Sequence, residues 1–134
     1  MGTEAQERLL APILVRWERG DFTGWDEQLY APDLVLSGFN ADGVFRGRGP
    51  EEISTNLRQF FRQFRDYRIE AGEFERISND LLLMEGRQFA TGRLSGVEVS
   101  ETLYIAFRFD GDRLTEMHWH PSREGALEAA GISA

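Results

Sequence analysis

The chain has 134 residues, 41% hydrophobic and 28% charged, with 23 acidic against 15 basic side chains for a formal net charge of −8. That length supports one domain with one core, and the composition is that of an ordinary globular protein without an apolar run of bilayer length. The acidic surplus, with arginines scattered along the chain, opposes a nucleic-acid partner, and cysteine and lysine are absent, which removes thiol nucleophiles, disulfides, thiolate metal sites and lysine Schiff bases. No cofactor is expected and no membrane partner. Residues 1–20 carry acidic and basic side chains throughout, without the continuous apolar middle of a secretory signal, so a cytoplasmic location is expected.

Helices precede strands, an order that points to an α+β domain. Thr3 followed by Gln6 reads as a capping box, Leu10, Ile13, Leu14 and Trp17 keep helical spacing over residues 3–19, and Pro12 predicts a kink. Gly20-Asp21 ends that helix. Residues 22–30 read as a short second helix, Ala31-Pro32-Asp33 precedes a strand over residues 34–39, and residues 40–43 have turn chemistry. Pro50, followed by Glu51 and Glu52, starts a helix to about Phe64, and its stripe of Ile53, Leu57, Phe60, Phe61 and Phe64 needs a sheet to cover it. Arg58, Arg62 and Arg65 run along one edge of this helix, with Arg68 beyond, and read as a solvated face.

Strands over about 67–77, 81–94, 97–109 and 113–121 are separated by Ser78-Asn79-Asp80, Ser95-Gly96 and Asp110-Gly111-Asp112. Consecutive hairpins of this kind give a curved antiparallel sheet. Ser122 caps a last helix over 123–130 that stops at Gly131. On the strand over 113–121 the period of two puts His118 and His120, the only histidines, on one face and Trp119 on the other. Glu116 shares the histidine face. Two imidazoles can hold a metal when a carboxylate supplies a third ligand, but exposed strand pairs of this kind are common and carboxylates abundant in this chain, so a solvated or subunit-facing pair is favoured and a His-x-His metal-dependent enzyme is the lesser alternative.

Gly20-Asp21-Phe22, Leu29-Tyr30-Ala31-Pro32-Asp33, Phe45-Arg46-Gly47-Arg48, Phe109-Asp110-Gly111-Asp112-Arg113-Leu114 and Ser122-Arg123-Glu124-Gly125-Ala126-Leu127, in this order and spacing, resemble a SnoaL-like protein of the nuclear transport factor 2-like (ketosteroid isomerase-like) superfamily. The likeness spans nearly all of residues 1–134. It implies a cone, in which a strongly curved antiparallel sheet is wrapped by the N-terminal helices around an apolar pocket, with a short C-terminal helix and a homodimer formed through the sheet's outer face. Members range over isomerases, cyclases, hydrolases, dehydratases and proteins without known catalysis, so the site residues must decide. Set against the ketosteroid isomerase pattern, the general base falls at Gly38, the oxyanion tyrosine at Ile13 and its partner aspartate at Ile105. The polyketide cyclase acid–base pair falls at Ile105 and Trp119. None of these side chains moves a proton.

In the register that the resemblance implies, Leu103, Ile105, Phe107, Met117 and Trp119 face inward with Gln88 and Ala90. Trp17, Tyr30, Phe60, Gln88, Leu103, Ile105, Met117 and Trp119 then line the pocket for a small apolar molecule, with Gln88, Tyr30 and the Trp119 indole as polar anchors. Arg87, Phe89, Tyr104, His118 and His120 face outward toward a second copy. Glu101 is the candidate general base, with Gln88 as oxyanion donor, in an acid–base enzyme acting on a polyketide-like or terpenoid-like substrate. Its alternative place is a solvated rim near the start of its strand, and the binding reading, which needs only shape and Gln88, is preferred over catalysis.

Overall fold

The computed structural model describes residues 4–40 and 43–132, so Thr3 of the expected capping box and Ala41-Asp42 of the expected turn lie outside the described residues. Helix α1 (Glu4–Glu18) continues through Pro12 and buries the predicted stripe of Leu10, Ile13, Leu14 and Trp17. The expected second helix does not form. Residues 22–29 instead make turns, closed by Glu27 N–H to the Gly24 carbonyl at 3.1 Å and Tyr30 N–H to the Glu27 carbonyl at 3.0 Å. Gly24 has a φ of 83°, outside the helical region, and Trp25 Nε1 donates to the Phe22 carbonyl at 2.8 Å in place of a helical bond.

Strand β1 (Tyr30–Asn40) begins earlier than its apolar run suggests, and β2 (Gly43–Arg48) is a strand that the sequence hides. Phe45 and Gly47 are buried while Arg46 and Arg48 are exposed, so β2 does alternate, but a glycine stands at one of its apolar positions. Helix α2 (Pro50–Phe61) ends at Arg62, and Phe64 starts β3 (Phe64–Glu70) instead of extending the helix, which removes Arg65 from the expected arginine edge. The single strand expected over 67–77 is two, β3 and β4 (Phe74–Arg76), both paired with β5 (Leu81–Gly92). Then come β6 (Glu98–Asp110), β7 (Arg113–His120) and α3 (Arg123–Ala129), where the Ser122 hydroxyl accepts from Gly125 N–H at 3.0 Å.

The strands lie in the order β2-β1-β7-β6-β5-β3, with β4 also on β5. Every pair is antiparallel except β1 with β7, which run parallel, so the sheet is mixed where consecutive hairpins predict a wholly antiparallel one. Hairpin turns fix direction only between strands adjacent in sequence, and β1 and β7 come from opposite ends of the chain. The result is an α+β cone: a strongly curled half-barrel whose inner face is covered by α1 and α2. The inner core is one continuous cluster running from Leu10 and Trp17 through Phe45 and Ile53 to Phe107 and Trp119. A second, smaller cluster lies on the outer face, where α3 brings Ala126, Leu127 and Ala130 against Leu81, Leu83 and Ala106.

Gly38 marks how closely the inner layer is packed. A Cβ there would lie 2.0 Å from Cζ of the Phe45 ring. Gly38→Ala is therefore expected to destabilise the protein by about 1–3 kcal/mol through overpacking. Combined with Phe45→Leu, which removes the obstructing ring, the double variant should be more stable than the sum of the single losses predicts, as read from urea denaturation.

Candidate functional site

The β6–β7 register sets Ile105 opposite Trp119, Phe107 opposite Met117 and Ala106 opposite His118. Trp119 accordingly points into the cone, at 2% exposure. Rings surround it: Phe45 at 5.1 Å and nearly perpendicular, Trp17 at 5.4 Å and Phe22 at 6.1 Å between centroids. Trp17 from α1, Phe60 from α2 and Tyr30 from the start of β1 are buried in the same cluster, as are Leu103, Ile105 and Met117 from the sheet. All eight predicted lining residues, Gln88 included, are thus buried, and aromatic rings occupy much of the space between them.

Among the described residues, three polar features interrupt this apolar interior. Tyr67 Oη donates to Gln88 Oε1, and Gln88 Nε2 donates onward to Glu101 Oε2 at 3.4 Å, making a chain from the interior to the rim. Glu101 itself is exposed near the start of β6, so the structure places this candidate base at the mouth and not against the buried rings. The other two features are orphans: Tyr30 Oη and Trp119 Nε1 are buried and meet no hydrogen-bond partner among the described residues. Burial pushes the Tyr30 hydroxyl well above its ordinary range, so it stays a protonated donor. Ile13, Gly38, Ile105 and Trp119, the residues that the resemblance sets at catalytic positions, are all buried, and the Phe45 ring fills the place of a side chain at Gly38.

Across the sheet, the outward residues divide into two groups. Arg87 donates to Ser100 Oγ at 3.1 Å, Phe89 carries the Arg68 guanidinium 4.1 Å over its ring, and Tyr104 Oη donates to Glu85 at 3.0 Å. His118 is instead enclosed by its own chain, and His120 is half-buried. His118, 5% exposed, has Ser37 Oγ 2.6 Å from Nδ1 and Glu116 Oε1 2.9 Å from Nε2. A carboxylate only accepts, so Nε2 carries the proton, and in the neutral ring Nδ1 accepts from the Ser37 hydroxyl. Glu116 pairs further with Arg108 at 3.3 Å, and Arg108 reaches Asp80 at 2.8 Å and the Ala130 carbonyl at 2.6 Å. His120 lies under the first turn of α3, where a Cβ on Gly125 would come 2.1 Å from its ring.

Ser37, Tyr67, Phe22 and Phe45 are the site-forming residues that sequence reasoning missed. Ser37 shares its strand with the buried Leu34 and Leu36, so a period-two reading of β1 would have set it outside, but nothing local pairs it with His118. Phe22 and Phe61 also line a surface cleft of about 430 Å³ between the loop after α1 and helix α2. A larger cleft of about 870 Å³ lies between α1 and residues 27–29, where Arg16 and Glu27 pair at 2.7 Å.

Residues 12–117 match the SnoaL-like domain family. Among solved structures, a protein with a ketosteroid isomerase-like fold from Catenulispora acidiphila, determined in complex with trimethylamine, is similar at 13% identity over 93% of each chain, with a TM-score of 0.69. A nuclear transport factor 2-like protein of unknown function from Burkholderia pseudomallei is similar at 17% identity over all of both chains, with a TM-score of 0.67. TerC, co-crystallised with polyporic acid, has 16% identity, a TM-score of 0.65 and coverage of 93% of this chain and 94% of its own. At these identities the likeness shows the fold. No curated protein matches the chain.

An unpaired buried hydroxyl costs stability in the empty protein, by about 1–3 kcal/mol for a typical group. Tyr30→Phe removes that hydroxyl without removing the ring and is expected to leave the ligand-free protein unchanged or about 1 kcal/mol more stable in chemical denaturation. A loss of stability would mean that the hydroxyl is satisfied.

Proposed function

The chain belongs to the SnoaL-like domain family, and from that premise we propose that it binds a small, apolar, ring-bearing molecule inside the cone, against Trp119. The observation that carries this reading is the pair of buried, partnerless donors, Trp119 Nε1 and Tyr30 Oη, set among aromatic rings. Native structures pair nearly all buried polar groups, so two orphans in one aromatic core cluster call for an acceptor from outside the chain. A ring compound with a carbonyl or hydroxyl oxygen supplies it and replaces ring–ring contacts with its own. Two neighbours of this fold, solved with trimethylamine and with polyporic acid, are in keeping with small-molecule binding.

A second reading rests on the Tyr67–Gln88–Glu101 chain, which offers a route for a proton between the interior and an exposed carboxylate. There the domain is an acid–base enzyme with Glu101 as base and Gln88 as the donor to a developing oxyanion. Binding is preferred, because Glu101 is open to water and the residues nearest Trp119 are apolar. A homodimer through the outer face remains part of the proposal for Arg87, Phe89 and Tyr104. His118 is already buried within one chain and has little surface left to give a partner.

Flavone and anthraquinone, as neutral probes, are expected to bind at micromolar Kd, or roughly −8 kcal/mol, and to raise the melting temperature by several degrees at about 100-fold excess over Kd. Trp119→Phe should weaken them about tenfold by deleting the N–H donor. The absence of any thermal shift, or shifts indifferent to Trp119→Phe and Tyr30→Phe alike, refutes the interior site. Turnover of such a compound that disappears in Glu101→Gln while binding persists selects the enzyme reading instead.

A further inference from the structure

We propose that the cleft between the loop after α1 and helix α2 is an anion-binding entrance, which holds the acidic group of an aromatic acid while its ring enters in the place of the Phe22 ring. This rests on the reading that a ring compound binds inside the cone, and it names that compound's chemical class.

The cleft has an apolar floor of Phe22, Leu57 and Phe61 and a rim carrying Arg58, Arg62 and Arg93, and no acidic residue lines it. In a chain with 23 acidic and 15 basic side chains, this cleft is lined by three guanidiniums, while the nearest carboxylates stand beside it: Asp21 accepts from Thr23 N–H and Oγ1, and Asp26 and Glu51 line the adjoining cleft beyond Arg58. Arg58 and Arg62 lie one helical turn apart, and neither forms an ion pair among the described residues, whereas Arg16, Arg108 and Arg123 each do. Arg93 is held in place from below: Nε donates to the Arg62 carbonyl at 2.9 Å and Nη2 to the Phe64 carbonyl at 3.3 Å. A planar carboxylate matches guanidinium donors of this kind in a way that a neutral group does not.

The floor of the cleft leads to the orphaned donor. The Phe22 ring lies 5.0 Å from Phe61 on the cleft side, and 5.6 Å from Tyr67 and 6.1 Å from Trp119 on the inner side. Phe22 therefore stands between the arginines and the unpaired indole N–H. Its loop is bracketed by Gly20 and Gly24, with φ of 78° and 83°, values that L side chains rarely adopt. A ligand ring taking the place of the Phe22 ring would meet the same aromatic neighbours, with its acidic group at the rim and an acceptor oxygen toward Trp119. One molecule then satisfies both the unpaired cations and the unpaired donor.

The test compares anthraquinone-2-carboxylate with its methyl ester by isothermal titration, on the wild type and on Arg58→Gln/Arg62→Gln, with circular dichroism to establish that the variant is folded. The acid is expected to bind the wild type roughly tenfold tighter than the ester, to lose that advantage as salt is raised, and to keep only the smaller part of it in the double variant, where Arg93 alone remains. Arg58→Lys/Arg62→Lys should keep part of the preference, because charge remains while the planar fork is lost. Equal binding of acid and ester by the wild type, or a preference undiminished by neutralisation of both arginines, overturns the entrance and leaves the interior site standing. Failure of both compounds to bind overturns the two together.

Discussion

Parallel pairing of β1 with β7 is the constraint on which the interior depends, because it brings the N-terminal third of the chain against its last strand and sets what faces Trp119. Gly38 lies opposite Trp119 and Ser37 opposite His118. The absent side chain at Gly38 admits the Phe45 ring, which meets Trp119 at 84° and 5.1 Å in the edge-to-face arrangement that ring quadrupoles favour. On the other face, the 2.6 Å contact of Ser37 with His118 ties the same two strands through their side chains. A slip of β7 by one residue would drive His118 into the apolar core, away from Ser37, and turn Trp119 to the outside, so the aromatic layer and the polar bond hold the register together.

The outer network gives that register a second lock. Glu116 joins His118 to Arg108, and Arg108 joins β7 to the Ala130 carbonyl at the end of α3 and to Asp80 before β5. The Ser78 hydroxyl, followed by Arg108, holds the Asp80 carboxyl below its usual range, which keeps it charged toward the guanidinium. Gly125 permits α3 to settle on the His120 ring, and the Arg123–Glu75 pair at 2.6 Å clasps the helix's first turn to β4. One half of the outer sheet is thus closed by the chain itself. Arg87 is exposed beyond it, with Phe89 half-buried under Arg68 and Tyr104 packed at the edge of the α3 cluster.

Chemistry inside such a cone follows from a few side chains and not from the fold. Here Ile13, Gly38, Ile105 and Trp119 are buried and carry no ionisable group, and the charged groups are Glu101 at the end of a hydrogen-bond chain and three arginines around a cleft. An interior of rings with charges kept at its edge suits recognition by shape, stacking and one or two hydrogen bonds.

The sequence by itself determined what local periodicity encodes. The 3.6-residue spacing of Leu10, Ile13, Leu14 and Trp17 specified the buried face of α1, the glycine and aspartate turns specified the β5–β6–β7 hairpins, and the period of two separated Trp119 from His118 and His120. Ser122 and Gly131 set the ends of α3. Tertiary structure alone decided the rest. β2 was illegible because Gly47 stands at one of its apolar positions, and the turns of residues 22–29 replaced a helix because Phe22, Trp25 and Tyr30 are drawn into one aromatic cluster. The bond from Ser37 to His118 spans 81 residues, Arg93 comes from the far end of β5 to meet Arg62, and the partnerless state of the Trp119 N–H depends on every ring around it. Alternation along a strand tells a side chain which way to face; which distant segment it meets is decided only when the whole core packs at once.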